Sequence, residues 1–254
     1  MTALSIISLV VFGLNYGIDF KGGSILEIEY IGEKPETSLI ESSIAESGIK
    51  GFSVRPSGDK EFIVRTPHLD EETRLSLISV LNGDGKWPLL QKRFSSVGPT
   101  LGKELAGKAL LSIVLVIGAI LLFIAFAFRK VSEPVSSWKY GLIAIIGLIH
   151  NVIIPTGAFA LFGHYFDAEV DSLFVTALLV ILGFSIHDTI VVFDRVRENL
   201  KINAEHFKKE VFEETVGKSV TQTIARSVNT SLTTLFVLFA LYVWGSDSTK
   251  WFSL

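Results

Sequence analysis

Ser185, His187 and Asp188 fall within four consecutive positions, and their types are those of a nucleophile, a base and the acid that orients it. Their spacing excludes that use. At i, i+2 and i+3 on one helix, His187 points away from Ser185, so the hydrogen-bond chain of a hydrolytic triad cannot form. The same stretch permits proton exchange instead. Asp188 lies in an apolar run, Ser172 to Phe193, six residues before Asp194, and so roughly 9 Å from the charged end of that run at 1.5 Å per residue. An Asp at the centre of a spanning helix costs about 2.5–3.5 kcal/mol, and less near the interface, so Asp188 is expected to face protein or water and a partner. Arg226 is the candidate partner. Arg226, Asn229, Thr230, Thr233 and Thr234 recur at i, i+3, i+4, i+7 and i+8, one polar stripe down the next apolar helix, matched by Ser185, Asp188 and Thr189. Either Asp188 binds and releases a proton with Arg226 biasing it, or the stripes are interhelical contacts of about 0.6–2 kcal/mol each. The first reading is favoured, because an intramembrane carboxylate is a functional candidate by default. His150 and Asn151 lie near the middle of another run, with Pro155 a turn later loosening the backbone. They line the same route or are satisfied by a neighbouring helix, and the residues leave both open.

Other chemistries drop out. With no cysteine there is no disulfide, thiolate nucleophile or Cys-based metal site. Neither an H-E-x-x-H nor a P-loop sequence occurs, and Gly17 to Gly23 lacks the G-K-[ST] ending that grips phosphates. No enzyme activity, cofactor or metal is expected. A net charge of -3 supplies no basic field for nucleic acid.

The elements that must position these residues are mostly apolar helices, as 49% hydrophobic residues and a mean hydropathy of +0.49 suggest. Runs at Ala109 to Phe128, Tyr140 to Phe162, Ser172 to Phe193 and Asn229 to Trp244 suit a hydrocarbon core of about 30 Å. A further run, Ala3 to Leu14, is too short, and it reads as a clipped first span (1–15) in preference to a signal peptide, which would need a basic start and a cleavage motif. Arg129, Lys130 and Lys139 flank one loop, and Arg195, Arg197, Lys201 and Lys218 crowd another, whereas Gly163 to Asp171 carries three acids and no Lys or Arg. The positive-inside rule puts the basic loops and the N-terminus in the cytoplasm, leaving 16–108 and the tail 245–254 outside. Within 109–244, residues 194–228 are expected as a mixed-charge, solvated helical connector.

The outer segment reads as a small folded domain. Ser24 to Ile31 alternates as a strand; Phe52 to Arg55 and Glu61 to Arg65 are strands joined by a turn at Ser57-Gly58-Asp59; Leu89 to Val97 is a fourth. Glu36 to Ser47 and Asp70 to Leu81 have helical spacing, the second capped by Asp70. The order β-α-β-β-α-β predicts a split βαβ, ferredoxin-like arrangement.

Three stretches carry a resemblance. G-I-D-F-K-G-G, Gly17 to Gly23, holds Gly17, Asp19, Gly22 and Gly23, and its glycines permit tight turns. V-G-P-T-L-G-K-E-L, Val97 to Leu105, holds Gly98 and Pro99, where strand should hand over to helix. S-I-H-D-T-I-V-V-F-D-R-V-R-E-N, Ser185 to Asn199, holds Asp188, Asp194 and Arg195, and V-N-T-S-L-T-T-L follows at Val228 to Leu235. Together they resemble the SecF family of protein-translocase subunits, a branch of the SecD/SecF family in the resistance-nodulation-division superfamily. Two positions depart from its pattern: His187 stands where Asn is usual, and Asn151 where Asp is usual.

The resemblance implies an α-helical polytopic membrane bundle carrying a small α+β extracytoplasmic domain in the cytoplasmic (inner) membrane. Five spans are expected here and a sixth beyond Leu254. It implies proton conduction at Asp188, use of the proton motive force to assist Sec-dependent export, and contact with SecD, the SecYEG translocon, the exported polypeptide and membrane lipid. A proton-driven small-molecule or lipid transporter of the same superfamily, or a purely structural assembly subunit, are the rival readings. Asp188, Arg226, His187, His150, Asn151, Asn229 and Thr233 are the proton-pathway candidates.

Overall fold

A computed structural model describes residues 1–83, 85–127, 137–206 and 210–245. The tail beyond Gly245 lies outside them, as do Arg129 and Lys130. The elements run α1 (Thr2–Phe12), α2 (Ile18–Lys21), β1 (Gly23–Tyr30), α3 (Thr37–Glu46), β2 (Ser53–Ser57), β3 (Glu61–Thr66), α4 (Glu71–Asn82), β4 (Leu89–Val97), α5 (Pro99–Ala127), α6 (Ser137–Tyr165), α7 (Ser172–Glu205) and α8 (Phe212–Trp244). They divide into two compact units, Tyr16–Ala109 and the remainder.

In the first unit β1 puts Leu26, Ile28 and Tyr30 on one face and Glu27 and Glu29 on the other, so one face must be covered. Helices α3 and α4 cover it with Ile40, Ile44, Leu77 and Leu81, against Phe62 and Val64 from β3. The sheet order is β2-β3-β1-β4 and every neighbouring pair is antiparallel. Tyr30 donates its hydroxyl proton to the Leu81 carbonyl at 3.2 Å, and burial pushes that phenol up to about 12. Asp70 caps α4 by accepting from the Thr73 N–H at 2.9 Å, and Gly83, left-handed at φ 53°, ends it.

Three features differ from the sequence expectation. The first is α2, a single helical turn inside the Gly17 to Gly23 stretch. The second is β2, which runs on through Pro56 to Ser57; an edge strand tolerates a residue with no N–H to donate. The third is a bulge that leaves Lys92 of β4 opposite no residue of β1. Lys92 Nζ reaches Glu61 at 2.9 Å and Glu29 at 3.0 Å, and those carboxylates hold its ammonium well above the ordinary lysine range.

In the second unit α5, α6, α7 and α8 are long and apolar enough to cross a membrane, with mean hydropathies of 3.1, 2.0, 2.1 and 1.4 over their most apolar windows. The 11-residue α1 is not. It packs on α6 through small residues: Ser8 Oγ donates to the Gly157 carbonyl at 2.8 Å, and a Cβ on Gly157 would collide with Ser5. Phe12 stacks on His164 with ring centroids 4.5 Å apart. Ile124 of α5, Ala144 and Leu148 of α6, and Leu182 and Ile186 of α7 form the apolar core of the bundle.

Within the stretch expected as a helical connector, 194–228, α7 runs on to Glu205 and α8 begins at Phe212, so the two helices are 34 and 33 residues long. Asn199, Asn203, Thr215, Ser219 and Thr223 are buried there.

Candidate functional site

Burying Leu182 and Ile186 against α5 and α6 fixes the rotation of α7, which leaves Asp188 half-buried beside that core and His187 exposed. Ser185, one turn earlier, accepts a hydrogen bond at 2.7 Å from the Asn151 amide on α6, and Asn151 Oδ1 lies 2.9 Å from His150 Nδ1. Pro155 lies inside α6 and has no N–H, so it removes the helical bond that the Asn151 carbonyl would have accepted. The Thr189 hydroxyl donates to the Ser185 carbonyl at 2.9 Å. Thus His150, Asn151 and Ser185 form one polar group across α6 and α7, and Asp188 sits one turn along on α7.

Toward the end of α7 a cavity of 370 Å³ opens between α7 and α8, lined by Ile190, Val191, Asp194, Arg195, Glu198, Gln222, Thr223 and Arg226. Asp188, Val191 and Arg195 are spaced i, i+3 and i+7, so Asp188 shares the face of α7 that lines it. The lining acids are engaged by their own helix: Asp194 pairs with Arg197, and Glu198 with Arg195 Nη1 at 2.5 Å. Arg195 Nε also donates to Gln222 Oε1 at 2.7 Å.

Arg226 is exposed and lines this cavity; among the described residues no ion pair joins it to Asp188. Asn229 and Thr233 continue its stripe on α8 and are exposed. The Thr233 hydroxyl donates to the Thr230 carbonyl at 2.8 Å and that of Thr230 to the Arg226 carbonyl at 3.0 Å, so these protons stay within the helix while the oxygen lone pairs remain open. The structure therefore joins His150, Asn151 and Ser185 at one place and sets Arg226, Asp194 and Arg195 around one cavity at another, with Asp188 on α7 one turn from Ser185.

A buried seam below the cavity was not singled out from the sequence. Asn199 Nδ2 donates to Ser219 Oγ at 2.8 Å and to Gln222 Oε1 at 3.0 Å; Asn203 Nδ2 donates to Glu210 Oε2 at 2.5 Å and to Thr215 Oγ1 at 3.0 Å. Its signal was available: Asn199 and Asn203 are i, i+4, and Thr215, Ser219 and Thr223 are i, i+4, i+8.

Residues 81–254 match the family described as protein export membrane protein SecD/SecF, C-terminal, and residues 7–30 match the SecD/SecF GG motif. The chain belongs to the SecD/SecF family. The protein translocase subunit SecF of Thermobaculum terrenum is 41% identical over 98% of this chain and 79% of its own length. That of Pseudomonas aeruginosa is 34% identical, over 100% and 78%. The crystal structure of SecDF, a translocon-associated membrane protein from Thermus thermophilus, matches with TM-score 0.81 and 31% identity over 99% of this chain. This chain spans 32% of the length of that one.

The SecD/SecF GG motif has a packing role visible in the structure. Gly17 is the extended residue before α2, and Asp19 lies in the first turn of α2. Gly22 and Gly23 take φ of 77° and 139°, which side chains rarely adopt. A Cβ on Gly22 would lie 2.9 Å from Pro99 Cα, and one on Gly102 would lie 2.8 Å from the Gly22 nitrogen. Pro99 opens α5 directly after Gly98, so the GG motif meets the start of α5 backbone to backbone.

Proposed function

We propose that this chain is a SecF-type subunit of a SecDF complex in the cytoplasmic membrane, which uses the proton motive force to assist Sec-dependent protein export. The observation that carries this reading is Asp188: a half-buried carboxylate beside the Ser185–Asn151 contact, on the α7 face that leads to the Arg226 cavity. A proton crossing the membrane potential releases roughly 2.3 kcal/mol per 100 mV, enough to bias a two-state change of helix packing. Protonated, Asp188 is neutral and tolerates an apolar neighbour; ionised, it draws water or a cation. Arg226 is the cation that a small rearrangement of α8 would bring nearer, and the Asn199 and Asn203 contacts hold the ends of α7 and α8 together while the membrane halves move. His187, Asn229 and Thr233 border the same route.

In this reading the N-terminus is cytoplasmic, residues 16–108 form a ferredoxin-like domain outside the membrane, and the subunit makes and breaks no covalent bond. Its partners are SecD, the SecYEG translocon, the exported polypeptide and lipid. The family membership, the four spanning helices and the β-α-β-β-α-β order with its β2-β3-β1-β4 sheet support it. The test is proton-driven export in membrane vesicles holding the assembled complex with Asp188→Asn in this subunit. Loss of the dependence on the proton gradient is expected, and full dependence in the variant would overturn the proposal.

A further inference from the structure

His150 stands at the middle of α6, and its only hydrogen-bond contact among the described residues is through Nδ1, 2.9 Å from Asn151 Oδ1. Asn151 is held by its other end, since Nδ2 donates to Ser185 Oγ at 2.7 Å. An amide oxygen accepts and cannot donate, so in this orientation His150 Nδ1 carries the hydrogen and Nε2 of the neutral ring is a bare acceptor. A proton arriving at Nε2 leaves the bond from Nδ1–H to Oδ1 in place, so the ring can change charge without turning. An ionisable ring at membrane depth must face protein or water.

We propose that His150 exchanges a proton at Nε2, and that Asn151 is the positioning residue that fixes its tautomer and ties it to Ser185 on the helix carrying Asp188. The inference rests on the reading of Asp188 given above. The Asn151 amide accepts this hydrogen bond as a carboxylate would, without placing a second charge beside the ring. The titratable groups of the packed neighbours are few. On α7 they are His187 and Asp188 at this depth, α1 has none, and α5 has Lys103, Glu104 and Lys108, all near its start. His150 is therefore the base on α6 that stands nearest in depth to Asp188.

Two measurements test it on the assembled complex. The first is the 15N spectrum of histidine-labelled protein in lipid bilayers, with the His150 signal assigned by its loss in His150→Gln. At alkaline pH the Nδ1–H tautomer is expected, and it should disappear in Asn151→Leu; the Nε2–H tautomer in the unaltered protein would overturn the inference. The second is the pH profile of proton-driven export. Gln keeps an N–H donor for Asn151 but cannot be charged, so His150→Gln should lower coupled export at least about tenfold. Asn151→Leu, which removes the acceptor for Nδ1–H, should lower coupled export and alter the shape of the profile as well. Unchanged profiles in both variants, with coupling lost in Asp188→Asn, would overturn this inference alone. Coupling that survives in Asp188→Asn would overturn the underlying reading and this inference with it.

Discussion

Gly102 has no space for a side chain, because a Cβ there would lie 2.8 Å from the backbone nitrogen of Gly22 and 3.1 Å from the Phe20 carbonyl oxygen. Both obstacles are backbone and cannot swing aside. Gly102→Ala should therefore destabilise the unit formed by Tyr16–Ala109 by about 1–3 kcal/mol, despite the better helix propensity of alanine. Gly107→Ala, where nothing lies within 4 Å, is the control and should be neutral or slightly stabilising. Denaturant unfolding of both variants, followed by the fluorescence of Trp87, measures the difference.

The contact of α1 with α6 offers a second test. A side chain on Gly157 runs into both the backbone and the side chain of Ser5. Gly157→Leu should detach α1 from α6, raising amide exchange over Thr2–Phe12 while leaving α7 and α8 protected. Unaltered exchange in α1 would show that the small-residue contact does not hold it.

Asn199 joins α7 to α8 through Ser219 and Gln222. Asn199→Leu removes the donor and leaves a buried serine hydroxyl facing a methyl group, a loss of about 1–3 kcal/mol. Amide exchange should rise from Val196 to Asn203 and from Thr215 to Thr223. Asn199→Gln, a longer amide, should recover only part of the protection.

The cap of α4 gives a pH-dependent prediction. The Thr73 hydrogen bonds hold the Asp70 carboxyl below its ordinary range in the folded state. A lowered folded pKa means that the contribution is complete above the unfolded value and is lost as pH falls through the folded one. At neutral pH Asp70→Ala should melt at a lower temperature than the unaltered protein. The gap should begin to narrow below about pH 4, near the free carboxyl value, and keep narrowing as pH falls toward the lower folded one. A gap of constant size from neutral pH down to about pH 2 would mean that the cap acts through something other than its charge.

Much of this was readable in the residues. Strand β1 follows from Leu26, Ile28 and Tyr30 alternating with Glu27 and Glu29, and α4 from Asp70 at its start, because strand period and helix cap are properties of neighbouring positions. The four spans follow from length and hydropathy. The one-turn α2 was missed because four residues carry no period. The bulge at Lys92 was missed because it exists only as a mismatch between two strands.

At the site, helical spacing sets Ser185 and Asp188 on one face of α7 and Arg226, Asn229 and Thr233 on one stripe of α8. It did not set the height of one helix against the other. That height depends on how Asn199 and Asn203 meet Thr215 and Ser219, and it places Arg226 with Asp194 and Arg195 while Asn151, from α6, meets Ser185. The sequence by itself determined the membrane spans, the strand faces and the family, since each is written in short-range period or motif. Only the tertiary structure decided which polar groups touch. A helix fixes the direction of its side chains, but the contacts between helices are fixed by packing among residues far apart in the chain.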